Sequence, residues 1–293
     1  MSSGNFYLIR KYDNGDIKFD LPKPGRKMLT LKKITVYPVK SFRGLDLASA
    51  VTERRGLRFD RRWMLIDRKN RFISQREFPQ MAVLQAFPIR DGIRIVFPDG
   101  REYLNFLSES EATSETVTIW DSRVRGLISS GPINSALSEF IGTECRLVYM
   151  PDEVERNVDH EFGSENDIVS FADSFPYLMI GNESLDELNR RMATPLPMER
   201  FRPNLVFEGG EPFCEDGWWR IKIGDVNFRL VKPCVRCSVT TVDQTNGERV
   251  GPEPLRTLAE FRRVGKGVIF GQNMLAENPG QMIRVGDEIA VLE

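Results

Sequence analysis

Two cysteines set three positions apart, Cys234 and Cys237, stand on either side of Arg236 in the stretch Val231 to Gly247, which reads VKPCVRCSVTTVDQTNG. Three chemistries suit such a pair: a redox disulfide, half of a zinc site, or one thiolate presented to a soft metal or an electrophile. A redox pair of the thioredoxin kind opens a helix whose amide ends favour the thiolate, but the β-branched run Val239, Thr240, Thr241 and Val242 predicts a strand. Zinc needs two further soft or imidazole ligands at close spacing, and only Cys145, Cys214 and a single His160 remain. The residues favour one thiolate at a strand edge, with the Arg236 cation beside it to promote ionisation. The rival readings are a packed, inert thiol and a reversible Cys234 to Cys237 disulfide.

Other chemistries have weaker footing. A Ser-His-Asp or Cys-His enzyme has one candidate base, His160, and it lies in a polar stretch. Gly265, Gly267 and Gly271 are too widely spaced for a dinucleotide fingerprint, and no strand runs into a helix there. Lys40, Arg61 and Arg202 are single cations in or beside apolar strand segments, where any one of them is ordinarily an ion-pair partner with a solvated head. Lys plus Arg at 41 against Asp plus Glu at 42 leaves the 293-residue chain almost neutral, so nucleic acid is not an expected partner and any anion site must be local. No apolar run reaches membrane-spanning length and no signal-peptide pattern follows Met1. Four cysteines without a regular framework fit a reducing compartment, so the expected location is cytoplasmic, with no membrane partner.

The elements that would position these residues are mostly short strands. Phe6 to Arg10 and Ile17 to Leu21 flank Asp13-Asn14-Gly15-Asp16 and predict a hairpin, and Pro22 and Pro24 predict a linker after it. Strands are predicted at Leu31 to Val39, Trp63 to Asp67, Phe72 to Ser74, Met81 to Phe87, Ile93 to Phe97, Tyr103 to Leu104, Thr116 to Trp120 and Cys145 to Met150. Between the last two, Pro132 opens a helix that Gly142 can cap, expected to plug the first domain. Pro151 to Asn166 reads as a polar, mobile connection. Beyond it, Ser184-Leu185-Asp186-Glu187 predicts a capping box and a second helix, and a third helix follows Pro254. Alternation on both sides of Gly224-Asp225 predicts a hairpin leading to the cysteine pair, and the Val285 to Asp287 turn is expected to close the last strand pair. Without βαβ alternation the pattern argues for β-barrel domains.

Five segments together resemble the MOSC domain family, named for the C-terminal part of molybdenum cofactor sulfurases. They are YPVKSFRG at Tyr37 to Gly44, DRRW at Asp60 to Trp63, FRPNLVF at Phe201 to Phe207, IGDVNFRLVKPCVRCSVTTVD from Ile223 to Asp243, and FGQNMLAENPG at Phe270 to Gly280. Their order resembles the branch that carries an N-terminal β-barrel and includes the amidoxime-reducing proteins. The resemblance implies a mainly β, α+β chain: an N-terminal extension over 1–28, a MOSC N-terminal β-barrel domain over 29–150, and a MOSC β-barrel domain with a few helices over 151–293. It implies a molybdenum cofactor (Mo-molybdopterin), a pterin dithiolene carrying a phosphate, with Cys237 as the metal ligand and catalytic centre and Cys234, Cys145 and Cys214 as structural thiols. Lys40, Arg61 and Arg202 would bind the phosphate. Ser41, Asp173, Ser174, Asn204, Arg236 and Asn273 would bond the pterin edge, orient the metal's oxo groups or support its ligand. The implied activity is reduction of small N-hydroxylated substrates. With no ferredoxin-type cysteine set after Cys237, electrons are expected from a separate flavin or iron–sulfur reductase. The alternative is a carrier of cofactor or sulfur without turnover.

Overall fold

The computed structural model describes residues 28–107 and 113–293. The hairpin and linker expected over 1–28 lie outside the described residues except for Met28. The first part of the chain carries β1 (Thr30–Val36), β2 (Leu45–Leu47), β3 (Ser49–Glu53), β4 (Gly56–Leu57), β5 (Trp63–Ile66), β6 (Gln85–Ile89), β7 (Gly92–Val96), β8 (Glu102–Phe106), β9 (Thr113–Ile119), β10 (Ser122–Ile128), α1 (Pro132–Ile141) and β11 (Arg146–Tyr149). The second carries β12 (Tyr177–Gly181), α2 (Asn182–Arg190), β13 (Leu205–Glu208), β14 (Arg220–Ile223), β15 (Val226–Val235), α3 (Leu255–Phe261), β16 (Arg263–Val264), β17 (Gly267–Ala276), β18 (Met282–Arg284) and β19 (Ile289–Val291). Strands dominate, as the turn spacing predicts. The sheets are open, however, and none of them closes into a complete barrel.

The largest sheet runs β19-β14-β15-β17-β12-β13-β1-β2, with β16 paired to β17. It mixes both parts of the chain, because β1 lies antiparallel to β13 and β3 pairs with β18. Period-two alternation on β14 and β15 sends Ile221, Ile223, Val226, Phe228 and Leu230 into its core, where they meet Tyr177, Phe207 and Ile289. A second core forms under β6, β7 and α1, whose Ile133, Ala136, Leu137 and Ile141 face Val39, Trp63 and Leu65. That is the expected plug. Pro132 sits at the start of α1, and Gly142 ends it in the left-handed conformation, its N–H bonding the Ser138 carbonyl.

Several local expectations give way to tertiary contacts. The β-branched run after Cys237 is a 3-10 turn over Ser238–Thr241, because Thr240 Oγ1 and Thr241 Oγ1 donate to the carbonyls of Cys237 (2.9 Å) and Ser238 (2.8 Å) and satisfy them locally. Helix α2 is capped by Gly181 with no side-chain cap bond, and the Ser184 hydroxyl is spent instead on Glu215 at 2.9 Å. Met81 falls in a 3-10 turn begun by Pro79 rather than in the following strand. The Val285 to Asp287 turn joins β18 to β19, but the two strands pair with β3 and β14 instead of each other. The 151–166 connection is irregular, yet it is packed, with Val158 and Arg156 buried. None of the described helices is long and apolar enough to cross a membrane.

Phe228 is fully buried and meets the Tyr177 ring edge-on at 5.3 Å. Phe228→Ala is expected to cost about 3–5 kcal/mol in urea unfolding through lost burial and a residual cavity. Trp219→Ala, at a side chain 60% exposed, is expected to change stability by less than about 0.5 kcal/mol.

Candidate functional site

A cleft of about 940 Å³ opens beside these cores, and all ten residues singled out from the sequence line it: Lys40, Ser41, Arg61, Asp173, Ser174, Arg202, Asn204, Arg236, Cys237 and Asn273. Nine of them come from a break in regular structure or a strand end, and Asn273 lies within β17. Lys40 and Ser41 follow β1, Arg61 sits in the turn before β5, Asp173 and Ser174 precede β12, and Arg202 and Asn204 precede β13. Strand β15 delivers the cysteine pair. Its ladder with β17 slips beside Lys232 and again beside Pro233, which has no amide to donate, and the chain leaves the sheet after Val235. Opposite it, Gly271 adopts φ +83°, and a Cβ there would lie 2.8 Å from the Met179 carbonyl. Only glycine lets β17 pass β12 so closely and bring Asn273 to the cleft wall.

The cleft is cationic although the chain is not. Eight Lys and Arg side chains line it against four carboxylates. One carboxylate does most of the balancing: Asp173 takes the Lys40 ammonium on Oδ1, Arg76 Nη2 on Oδ2 at 2.9 Å, and the Trp120 indole N–H on Oδ1 at 3.2 Å. Burial alone would raise the Asp173 pKa, but Lys40 and Arg76 together hold its carboxyl well below the usual range. Arg156 fixes the Asp173 backbone by donating to the carbonyls of Ser170, Ala172 and Asp173 at 2.7–2.8 Å.

The other wall is built around Tyr37. Its ring lies between two guanidinium groups, Arg61 at 4.3 Å and Arg202 at 4.1 Å, and its hydroxyl donates to Pro203 O at 3.0 Å. Arg61 is neutralised by the buried Asp60 at 2.7 Å and also reaches Asn204 Oδ1 at 3.1 Å. Asn204 donates onward to Thr35 O, so it ties the wall to β1. Arg202 differs from Arg61. It is 8% exposed, has no carboxylate partner among the described residues, and makes one long hydrogen bond, 3.4 Å to Gln244 Oε1. Burial pushes its pKa down to about 10.

At the cysteine pair the structure corrects one expectation. Arg236 does not serve Cys237: its Nη1 donates to Cys234 Sγ at 2.9 Å and its Nη2 to Phe201 O. The cation on Cys237 is Arg76, whose Nη2 lies 3.3 Å from Sγ. Spacing hides this, because Cys237 lies beyond the strand end and caps the turn that follows. Cys145 and Cys214 are remote from the cleft, and burial pushes their thiols up to about 11 and about 12. Both fit the structural role expected of them.

The profile of the MOSC N-terminal beta barrel domain matches residues 28–144 and that of the MOSC domain matches residues 166–290. The chain is 30% identical over 284 residues to mitochondrial amidoxime-reducing component 1 of Homo sapiens, covering 90% of this chain and 83% of that protein. The chain belongs to the MOSC family. It is also 31% identical to a molybdenum cofactor sulfurase of Arabidopsis thaliana, over 88% of this chain but only 35% of that longer protein. Mitochondrial amidoxime reducing component 2 of Rattus norvegicus is 30% identical and is covered over 82% of its length.

A MOSC site for a phosphate-bearing pterin needs free donors for anionic oxygens and a soft ligand for the metal. This cleft has both. Among the described residues the buried Arg202 cation touches no carboxylate and the buried Arg236 Nε has no partner, while exposed Ser174 and half-buried Asn273 make no side-chain hydrogen bond. Uncompensated buried donors are costly unless a ligand meets them, so the residues fit the group. Sequence reading missed four contributors, Arg76, Trp120, Arg156 and Tyr37, of which only Tyr37 lay in a family segment.

Lys40 supplies a pH test. Its ammonium is nearly buried and bonded to Phe171 O at 2.9 Å, and burial lowers its pKa from 10.5 to about 8 against the pull of Asp173. Above about pH 8 the folded chain releases this proton while the unfolded chain still holds it, so the unfolded state binds more protons and stability rises with pH. Urea unfolding between about pH 8 and 9.5 is expected to show this contribution, up to about 1.4 kcal/mol per pH unit, and Lys40→Met is expected to remove it.

Proposed function

We propose that this MOSC protein is a molybdenum-cofactor-dependent reductase of N-hydroxylated compounds such as amidoximes and hydroxylamines. The observation that carries the reading is the pairing, in one cleft, of a soft thiol with a buried guanidinium that touches no carboxylate among the described residues: Cys237 Sγ and Arg202. The similarity over most of both chains to proteins named as amidoxime-reducing components supports the same reading. When bound, the cofactor would supply two-electron removal of oxygen from the substrate.

The protein's own residues would bind and orient. Cys237 would hold the metal through sulfur. Arg202 would offer its unspent donors to the phosphate, Arg61 would add charge from beside Asp60, and Tyr37 keeps the two guanidinium planes apart. Lys40 acts differently from a free phosphate ligand, because its ammonium is committed to Asp173 and the Phe171 carbonyl. It would contribute positive potential to the cleft floor. Ser41, Asp173, Ser174, Asn204, Arg236 and Asn273 remain the proposed polar frame for the pterin and the metal. Electrons would come from a separate flavin or iron–sulfur reductase, since the sequence carries no dinucleotide glycine motif. The unpaired cysteines suit the cytoplasm as the proposed compartment.

A second reading, a carrier that holds cofactor or sulfur without turnover, is favoured by the match to a third of a molybdenum cofactor sulfurase. One experiment separates them. Cys237→Ser is expected to lose most bound molybdenum by elemental analysis, because a hydroxyl is a hard, poorly ionised replacement, whereas Cys234→Ser keeps it. Loaded wild-type protein is expected to consume an amidoxime when a chemical reductant is supplied, with Cys237→Ser as the blank. Equal metal in wild type and Cys237→Ser contradicts the ligand assignment, and full metal without turnover supports the carrier.

A further inference from the structure

Arg76 lies outside every segment that carries the family resemblance, yet its guanidinium is the only cation touching Cys237 among the described residues. One nitrogen, Nη2, donates both to Cys237 Sγ at 3.3 Å and to Asp173 Oδ2 at 2.9 Å, while the guanidinium plane rests over the Trp120 ring at 4.7 Å. The neighbouring cations are otherwise engaged, Arg236 with Cys234 and Lys40 with Asp173.

The backbone beneath Arg76 is also fixed. Gln75 is fully buried, donates to Ser41 O at 2.7 Å, and exchanges amide hydrogen bonds with Gln244 at 3.1 and 3.3 Å. Arg76 N donates to Ser74 Oγ at 3.3 Å, and the Arg76 carbonyl accepts from Arg249. The side chain is 25% exposed. A cation stacked on an indole, anchored to a carboxylate and rooted in a buried glutamine pair is held at the sulfur before any ligand arrives.

Resting on Cys237 as the metal ligand, we propose that Arg76 is a positioning residue that raises the reduction potential of the metal held there. An N–H donor carrying positive charge withdraws electron density from a thiolate sulfur. The reduced metal is the more electron-rich state, so it gains more from that withdrawal than the oxidised one does. Hydrogen bonds to ligating sulfur and local charge are established levers on potential in copper–thiolate and iron–sulfur centres. Asp173 sets the distance by pulling on the same nitrogen, and Trp120 stops the guanidinium from swinging into the cleft.

The test is a potentiometric titration, followed by electron paramagnetic resonance, of wild type, Arg76→Ala, Arg76→Lys and Trp120→Phe, with molybdenum quantified in each. Arg76→Ala is expected to lower the midpoint potential by the equivalent of at least about tenfold in the reduction equilibrium, about 59 mV for a one-electron couple. Arg76→Lys, which restores the charge, is expected to recover more than half of that, and Trp120→Phe to shift it least. Should the alanine variant purify without metal, Arg76→Gln keeps a donor, drops the charge and is expected to move the potential the same way. A loaded Arg76→Ala or Arg76→Gln protein titrating with wild type overturns the proposal and leaves the ligand assignment standing. Wild-type protein that binds no molybdenum overturns both.

Discussion

Asp173 compensates two cations that the fold has largely removed from water, Lys40 and Arg76, and takes a third hydrogen bond from Trp120. Without that carboxylate the cleft floor would hold adjacent positive charges with little hydration, an arrangement costing several kcal/mol per ion. Arg156 makes the compensation possible by binding the carbonyls of Ser170, Ala172 and Asp173 and so fixing the backbone that carries the carboxylate. The floor is thus partly compensated from within. The opposite wall, at Arg202, is not, and this asymmetry gives a near-neutral chain a strongly anion-seeking cleft.

The backbone is held in an unfavourable state at the same place. Four of the eight described non-glycine residues with positive φ, namely Ser41 (70°), Arg61 (47°), Trp120 (52°) and Arg202 (55°), line the cleft. Left-handed conformations cost each such residue of order 1 kcal/mol or more and persist only where surroundings overdetermine them. Here the surroundings are identifiable: Gln75 binds Ser41, Asp60 and Asn204 bind Arg61, the Tyr37 ring separates Arg61 from Arg202, and Phe72 and Arg76 pack on Trp120. The stability of the packed cores offsets the strain and the buried charge gathered at the cleft.

Much of this was legible in the residues themselves. Period-two alternation located the β14–β15 hairpin, Pro132 and Gly142 bracketed α1, and the family segments led to residues that fold into a single cleft. What failed to show was anything decided by long-range approach. Arg76 meets Cys237 across 161 positions, and neither its neighbours nor its spacing marks it out. Arg236 looked like the partner of Cys237 because it is adjacent, yet the strand end turns the two side chains to different neighbours. The threonines after Cys237 carry strand propensity, but hydroxyls that close a turn locally override it. Ser184 matched a capping box, and buried Glu215 claimed its hydroxyl.

We propose that the cleft holds an anionic molybdenum cofactor with its metal on Cys237 and its phosphate on Arg202. The most direct measurement is a crystal structure of the protein purified from molybdenum-sufficient cells, with anomalous data collected across the molybdenum edge. One anomalous peak bonded to Cys237 Sγ is expected, with phosphate density within hydrogen-bond reach of the Arg202 guanidinium. A peak on Cys234 instead, or a cofactor bound elsewhere on the surface with Arg202 facing solvent, would contradict it.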